Sequence, residues 1–215
     1  MPFPPSLSLF FCCASATFLI LAEQALSYRD GNPAYFPAAS DFKKVNFGQA
    51  LGDRTVFRMN IIEAVSCHEV LGVPNIDTYF GTAPEGWNYL LKAMTLLPQW
   101  LLRDRDLMQA LAVFSEPVVR LTDMLVGSAN AMKVTATAKD GSTAVMTYAH
   151  KDLEECVGIA TAAFAAAALR GDIKTGIWYP EEALRDEAAR ERLLAEATRG
   201  AFLWEQHVTP GLKNK

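Results

Sequence analysis

The sequence predicts an α+β protein built on a largely antiparallel sheet with packed helices. The first observation is the stretch Asn130 to Lys151, where apolar and polar residues alternate on both sides of Lys139-Asp140-Gly141-Ser142. Period-two alternation flanking a short Asp-Gly turn is the signature of a β-hairpin. The second is Leu153 to Arg170, an alanine-rich run long enough for five helical turns, closed by Gly171. The third is the order of the remaining segments. Strand-like and helix-like stretches follow one another without the regular β-α-β alternation that a parallel sheet demands.

At the amino terminus, Leu7 to Ala22 reads LSLFFCCASATFLILA, and two readings compete. A signal peptide would use Leu7 to Cys13 as its apolar run and cleave after Ala14-Ser15-Ala16. No Lys or Arg precedes the run, however, and apolar residues continue beyond the cleavage point. The run is also short for a membrane span. The preferred reading is a buried helix over Ser15 to Tyr28, with Phe18, Leu21, Ala22 and Ala25 on one face, stopped by Asp30-Gly31 and Pro33.

Residues 29 to 53 read as an extended connector punctuated by Pro33, Pro37, Gly48 and Gly52. Thr55 to Ile62 alternates as a strand, and Ile76 to Phe80 forms a second short apolar run. Glu85 to Leu97 places Trp87, Leu90, Leu91 and Met94 on one helical face, interrupted by Pro98. Leu101 to Phe114 continues the helical pattern. Pro117 is read as the start of a separate helix that runs to Leu125 and ends at Gly127. Beyond the hairpin and the alanine-rich helix, Ile177 to Tyr179 is expected as a short strand. Pro180-Glu181-Glu182 should open a charged helix reaching about Arg199, with two acids where the helix dipole favours them. Phe202, Leu203 and Trp204 are expected to dock the tail.

Composition narrows the function classes. With 20 Lys+Arg against 24 Asp+Glu, the chain carries a net charge of −4, so it is no generic polycation that grips nucleic acid through phosphates. A soluble protein handling small molecules or other proteins fits better, and nucleic acid and membrane are not expected partners. The four cysteines, Cys12, Cys13, Cys67 and Cys156, form no CxxC pair. That argues against a zinc cluster and for free thiols in a reducing compartment, so a cytoplasmic location is expected.

The motifs that carry common chemistries are mostly absent. No glycines fall at GxGxxG spacing, so the dinucleotide fingerprint is missing. Gly171 to Gly176 has the spacing of a phosphate-binding loop but lacks the Lys that follows it there. His68-Glu69 starts a metalloprotease-like string, but position 72 is Gly. Cys67 beside His68 invites a nucleophile–base reading, which adjacent side chains seldom satisfy. The more informative stretch is Tyr79-Phe80-Gly81-Thr82-Ala83-Pro84 leading to Trp87-Asn88, an apolar run ending in Gly-Thr before a helix start. A helix N-terminus beside aromatics can receive a carboxylate or phosphate. Alternatively, Pro84 simply suits a helix start and Trp87 is core. His150, at the end of the hairpin, either faces a cleft or is structural. Glu154-Glu155 and Glu181-Glu182 are read as helix-start electrostatics. The candidate pocket set is therefore Gly81, Thr82, Pro84, Trp87 and Asn88, with His68 and His150 near it.

Five phrases occur in a telling order: SCHEVLGVP (66–74), FGTAP..WN (80–88), LLRDR (101–105), VGIATAAFA (157–165) and TGIWYPEE (175–182). As a set they resemble the carboxy-terminal half of the saccharopine dehydrogenase-like oxidoreductases, over roughly residues 16 to 185. The resemblance implies an α+β substrate-side domain over 16–200, a divergent segment over 1–15 and a tail over 201–215. In that family an amino-terminal Rossmann domain binds NAD or NADP, and the substrate-side half packs over the cofactor. This chain lacks the Rossmann domain, so no cofactor is expected on it alone. It is expected to be a truncated form, inactive by itself, or a non-catalytic binding or scaffold module derived from that domain. Expected partners are a Rossmann-containing protein or a second copy of the chain, together with a small-molecule substrate.

Overall fold

The computed structural model describes residues 17–49, 51–127, 129–184 and 186–211. The signal-peptide alternative at Leu7 to Ala16, with Cys12 and Cys13, lies outside them, as does the segment 1–15. In chain order the strands are β1 (Ala25–Arg29), β2 (Asn32–Phe36), β3 (Ser40–Asn46), β4 (Asp53–Arg58), β5 (Tyr79–Phe80), β6 (Asn130–Thr137), β7 (Thr143–His150) and β8 (Leu203–Thr209). The helices are α1 (Glu63–Leu71), α2 (Gly86–Met94), α3 (Gln99–Leu102), α4 (Arg105–Val126), α5 (Leu153–Arg170), α6 (Pro180–Ala183) and α7 (Glu187–Ala197). The fold is α+β, with strands paired as β1-β2, β3-β4-β5 and β6-β7-β8.

The chain forms two compact units. The first draws on Met1–Val45, Arg54–Gly127 and Gly176–Ala183, and the second on Asn46–Asp53, Ser128–Thr175 and Leu184–Lys215. In the first unit Phe18, Leu21, Phe57, Met59, Leu91, Leu102, Met108 and Ala112 make one apolar core. Phe57 is its centre: fully buried, 5.3 Å from the Phe42 ring and edge-on to Phe80 at 6.0 Å. In the second unit α5 and α7 pack through Ala163, Ala167, Leu184, Ala189 and Leu193. The small alanines of α5 let the two helices approach closely.

Several local expectations need correction. The helix expected over Ser15 to Tyr28 is helical in the described part only at residues 17–20, and Ala25 to Tyr28 belong to β1. Asp30 and Gly31 adopt φ of 50° and 79°. That is the two-residue turn of a β-hairpin, which joins β1 to β2 with Arg29 opposite Asn32. The Asp-Gly pair therefore reverses a strand where a helix stop was expected. The connector 29–53 accordingly contains β2 and β3. β4 starts two residues before the expected strand and ends at Arg58, because Ile61 and Ile62 already lead into α1.

Pro117 does not begin a helix. It lies inside α4, which runs unbroken through it. A proline here removes one N–H and frees one carbonyl, a loss this helix tolerates. Ile177 to Tyr179 is not a strand, and Ile177 is fully exposed. The helix expected from Pro180 to Arg199 is two: α6 ends at Ala183, and α7 starts afresh with Asp186 accepting from the Ala188 N–H as N-cap. Leu203 to Thr209 form a third strand on the hairpin, pairing with β7 from Thr143↔Thr209 to Ala149↔Leu203.

The hairpin and the alanine-rich helix lie where the alternation places them. β6 pairs with β7 from Asn130↔His150 to Thr137↔Thr143. α5 is capped by Asp152, whose carboxylate accepts from the Glu155 N–H at 2.9 Å, and ends at Gly171 in the left-handed region.

Candidate functional site

The stretch from Gly81 to Asn88 is a clamp. Gly81 leaves β5 so close to β4 that a Cβ on it would stand 2.4 Å from the Thr55 carbonyl oxygen. The Ala83–Pro84 bond is cis. Asn88, in the first turn of α2, is completely buried. Its side-chain carbonyl accepts from the Thr82 N–H at 2.8 Å and from the Thr82 hydroxyl at 2.9 Å. Its amide donates to the Thr55 carbonyl at 3.0 Å. Glu85 adds a bond from the Thr55 hydroxyl at 2.6 Å. Asn88 thus has its polar atoms engaged within the protein, and it ties a loop, a helix and a strand together. Trp87 is half-buried, and Pro84 is exposed beside it. Gly81→Ala should therefore overpack this joint and cost about 2–3 kcal/mol, read as a lower urea midpoint. An unchanged midpoint would contradict the clamp.

His68 is not part of that loop's bonding. Its ring stacks on Tyr28 with centroids 3.8 Å apart, and Nδ1 lies 2.9 Å from the Val73 carbonyl. Cys67 turns elsewhere, to within 4.0 Å of Glu181 Oε1. Burial, together with the nearby Glu181 carboxylate, pushes the Cys67 thiol up, which keeps it protonated and poorly nucleophilic. Ser66 donates to the same Glu181 oxygen at 2.7 Å, while Glu181 Oε2 is buried without a hydrogen-bond partner. Glu182 serves the helix start, accepting from the Tyr179 N–H at 3.2 Å. Both acids lie in the first turn of α6, as expected, and Glu181 also anchors α6 to α1 through Ser66.

His150 belongs to the second unit. It is buried, with Nδ1 2.7 Å from the Asp152 carbonyl and 3.0 Å from the Asp152 N–H, and Nε2 4.0 Å from Glu155. These contacts hold the turn between β7 and α5. The candidates from the sequence thus divide: Gly81, Thr82 and Asn88 come together, while His68 and His150 serve separate local joints.

The richest cluster of charge in the first unit was not among those candidates. The Arg58 guanidinium is buried at the end of β4, 4.0 Å from the Phe36 ring. It donates to Asp41 at 2.7 Å and to the Tyr79 hydroxyl at 3.2 Å, and it lies 3.3 Å from Asp77. Burial works against the Arg58 charge, but the bond to Tyr79 and the carboxylates of Asp77 and Asp41 hold its pKa above the ordinary value. Tyr79 donates to Asp41 at 2.6 Å, and burial together with that bond raises its own pKa. Lys43 sits 3.3 Å above the Tyr79 ring, and burial lowers its pKa. Arg29 clasps Asp77 with two bonds of 2.7 and 2.9 Å.

Burial pushes the Asp77 carboxyl up, but hydrogen bonds from Arg29 and Ser27 and the charges of Arg29 and Arg58 outweigh it and hold the group below the usual aspartate range. With the folded pKa depressed, these contacts stabilise the protein above the unfolded aspartate's pKa, and that stabilisation disappears as pH falls through the folded value. Asp77→Asn should lower stability at neutral pH and flatten the acid limb of a stability–pH curve. Two superimposable curves would contradict this.

In the first unit a cleft of about 560 Å³ is lined by Ala22, Glu23, Gln24, Tyr35, Asn60, Gln99 and Arg103. Asn60 donates to Glu23 at 2.6 Å and accepts from the Leu26 N–H at 3.4 Å, so one wall is fixed. The lining mixes one acid, one base, three side-chain amides and a tyrosine, which suits a small polar molecule more than an apolar one. Among the described residues the lining contains no His or Cys and no paired carboxylates.

No protein-family model matches the chain, and no curated protein matches it. No helix among the described residues is long and apolar enough to cross a membrane.

Proposed function

We propose that this chain is the substrate-side domain of a saccharopine dehydrogenase-like, NAD(P)-dependent oxidoreductase, unable to transfer hydride by itself. The reading is supported by one long-range joint between two of the five phrases. Ser66 of SCHEVLGVP bonds Glu181 of TGIWYPEE across 115 positions of chain. FGTAP..WN closes on itself through Thr82 and Asn88.

Hydride transfer needs the nicotinamide held against the substrate carbon, and the cofactor supplies that chemistry. The dinucleotide-binding half would come from elsewhere. The test is titration of the purified, folded chain with NADH and NADPH, followed by tryptophan fluorescence. No saturable quenching is expected, and saturable binding by the chain alone would contradict the reading. A second reading, a non-catalytic binding or scaffold module derived from the same domain, is favoured by the exposed apolar residues Phe114, Val118 and Leu121 of α4.

A further inference from the structure

The second half of α4 is an apolar surface without a core beneath it. Leu107, Leu111, Phe114, Val118 and Leu121 follow one another at spacings of four, three, four and three residues. That is the seam of a heptad repeat, along which two helices interlock. Leu107 and Leu111 lean on the core of the first unit, with Met108 and Ala112 buried beside them. Further along, the seam leaves the core: Phe114, Val118 and Leu121 are 81%, 54% and 55% exposed. Met124 widens the stripe on one side, at 80%. A helix whose apolar stripe is more than half exposed among the described residues is expected to be covered by something.

We propose that this stripe pairs with the same stripe of a second copy of the chain. Three features favour a copy over another occupant. The spacing is that of a helix–helix seam, which a like helix fits knob into hole. The stripe is centred on Val118, so a two-fold axis there brings Val118 against its own copy and satisfies the self-complementarity of an isologous contact. Its size is also adequate. At roughly 150–200 Å² for a large side chain, Phe114, Val118, Leu121 and Met124 expose about 500 Å² per copy. A pair would bury at most about 1,000 Å², the lower bound for a specific interface. The positions that flank such a seam, Ala110, Ser115, Pro117 and Thr122, carry no charge, so no like-charge repulsion opposes pairing. Pairing at this lower bound is a reversible equilibrium.

The test uses the full chain. Sedimentation velocity over a concentration series should show a monomer–dimer equilibrium, and Val118→Lys with Leu121→Lys should shift it to monomer with an unchanged circular dichroism spectrum. Since both positions are exposed, folding should survive. As a second readout, Val118→Cys should cross-link into dimers with a short bismaleimide, and Gln109→Cys, on the same helix away from the seam, should not. A wild-type chain that stays monomeric throughout would overturn the proposal, as would a dimer indifferent to the lysines. A stripe that instead binds phosphatidylcholine vesicles or a dinucleotide-binding protein, without self-pairing, would overturn it too.

Discussion

Replacing Asn88 by alanine should destabilise the first unit by about 3 kcal/mol. The side chain is fully buried and makes three hydrogen bonds, two to Thr82 and one to the Thr55 carbonyl. Its loss strands the Thr82 N–H and the Thr55 carbonyl, and each buried group left without a partner costs about 1–3 kcal/mol. The cavity left by the amide adds to this. Chemical denaturation followed by circular dichroism measures the effect. The result also decides what Asn88 is for. If the residue faced a ligand, alanine would leave stability intact and change binding alone.

Phe57→Ala is the second large effect, at about 3–5 kcal/mol. Phe57 is fully buried between β4 and the helices, with Phe42 on one side and Phe80 on the other. Phe80 lies opposite Phe57 in the β4–β5 register, so the cavity would open beside Gly81 and weaken the clamp as well. Phe57→Ala and Asn88→Ala therefore share a joint, and their combined effect should differ from the sum of the two. Strict additivity would show that the clamp and the core act independently.

The sequence was most legible where one signal was uncontested. The hairpin of β6 and β7 has alternation, a turn and a helix cap within one short stretch, and all of them agree. It was least legible where one residue pair serves two purposes. Asp30-Gly31 reads as a helix stop after an apolar run, yet both residues adopt positive φ and turn β1 into β2. Pro117 illustrates the opposite error, because a proline that suits a helix start also survives mid-helix when the surrounding turns hold.

The candidate site was legible only in part. Gly81, Thr82 and Asn88 converge, because a Gly-Thr step before a helix start leaves N–H groups that the nearby Asn side chain can answer. The charged cluster around Arg58 gave no local signal. Arg58 and its partners Arg29, Asp41, Lys43, Asp77 and Tyr79 come from four strands and a loop, and single charged residues in strands look like solvent-facing positions until the register is known. The cleft, likewise, is assembled from Glu23, Tyr35, Asn60 and Arg103, which share no spacing.

The proposal that this domain works with a dinucleotide-binding half is tested most directly on the native species, isolated from its own cells with an antibody against the Asn130 to His150 hairpin and assayed for bound NAD(P). The antibody is expected to retrieve a nicotinamide dinucleotide-binding component, either in one longer polypeptide or as a separate subunit. A native species of 23.6 kDa chains alone, free of any dinucleotide-binding component, would contradict it.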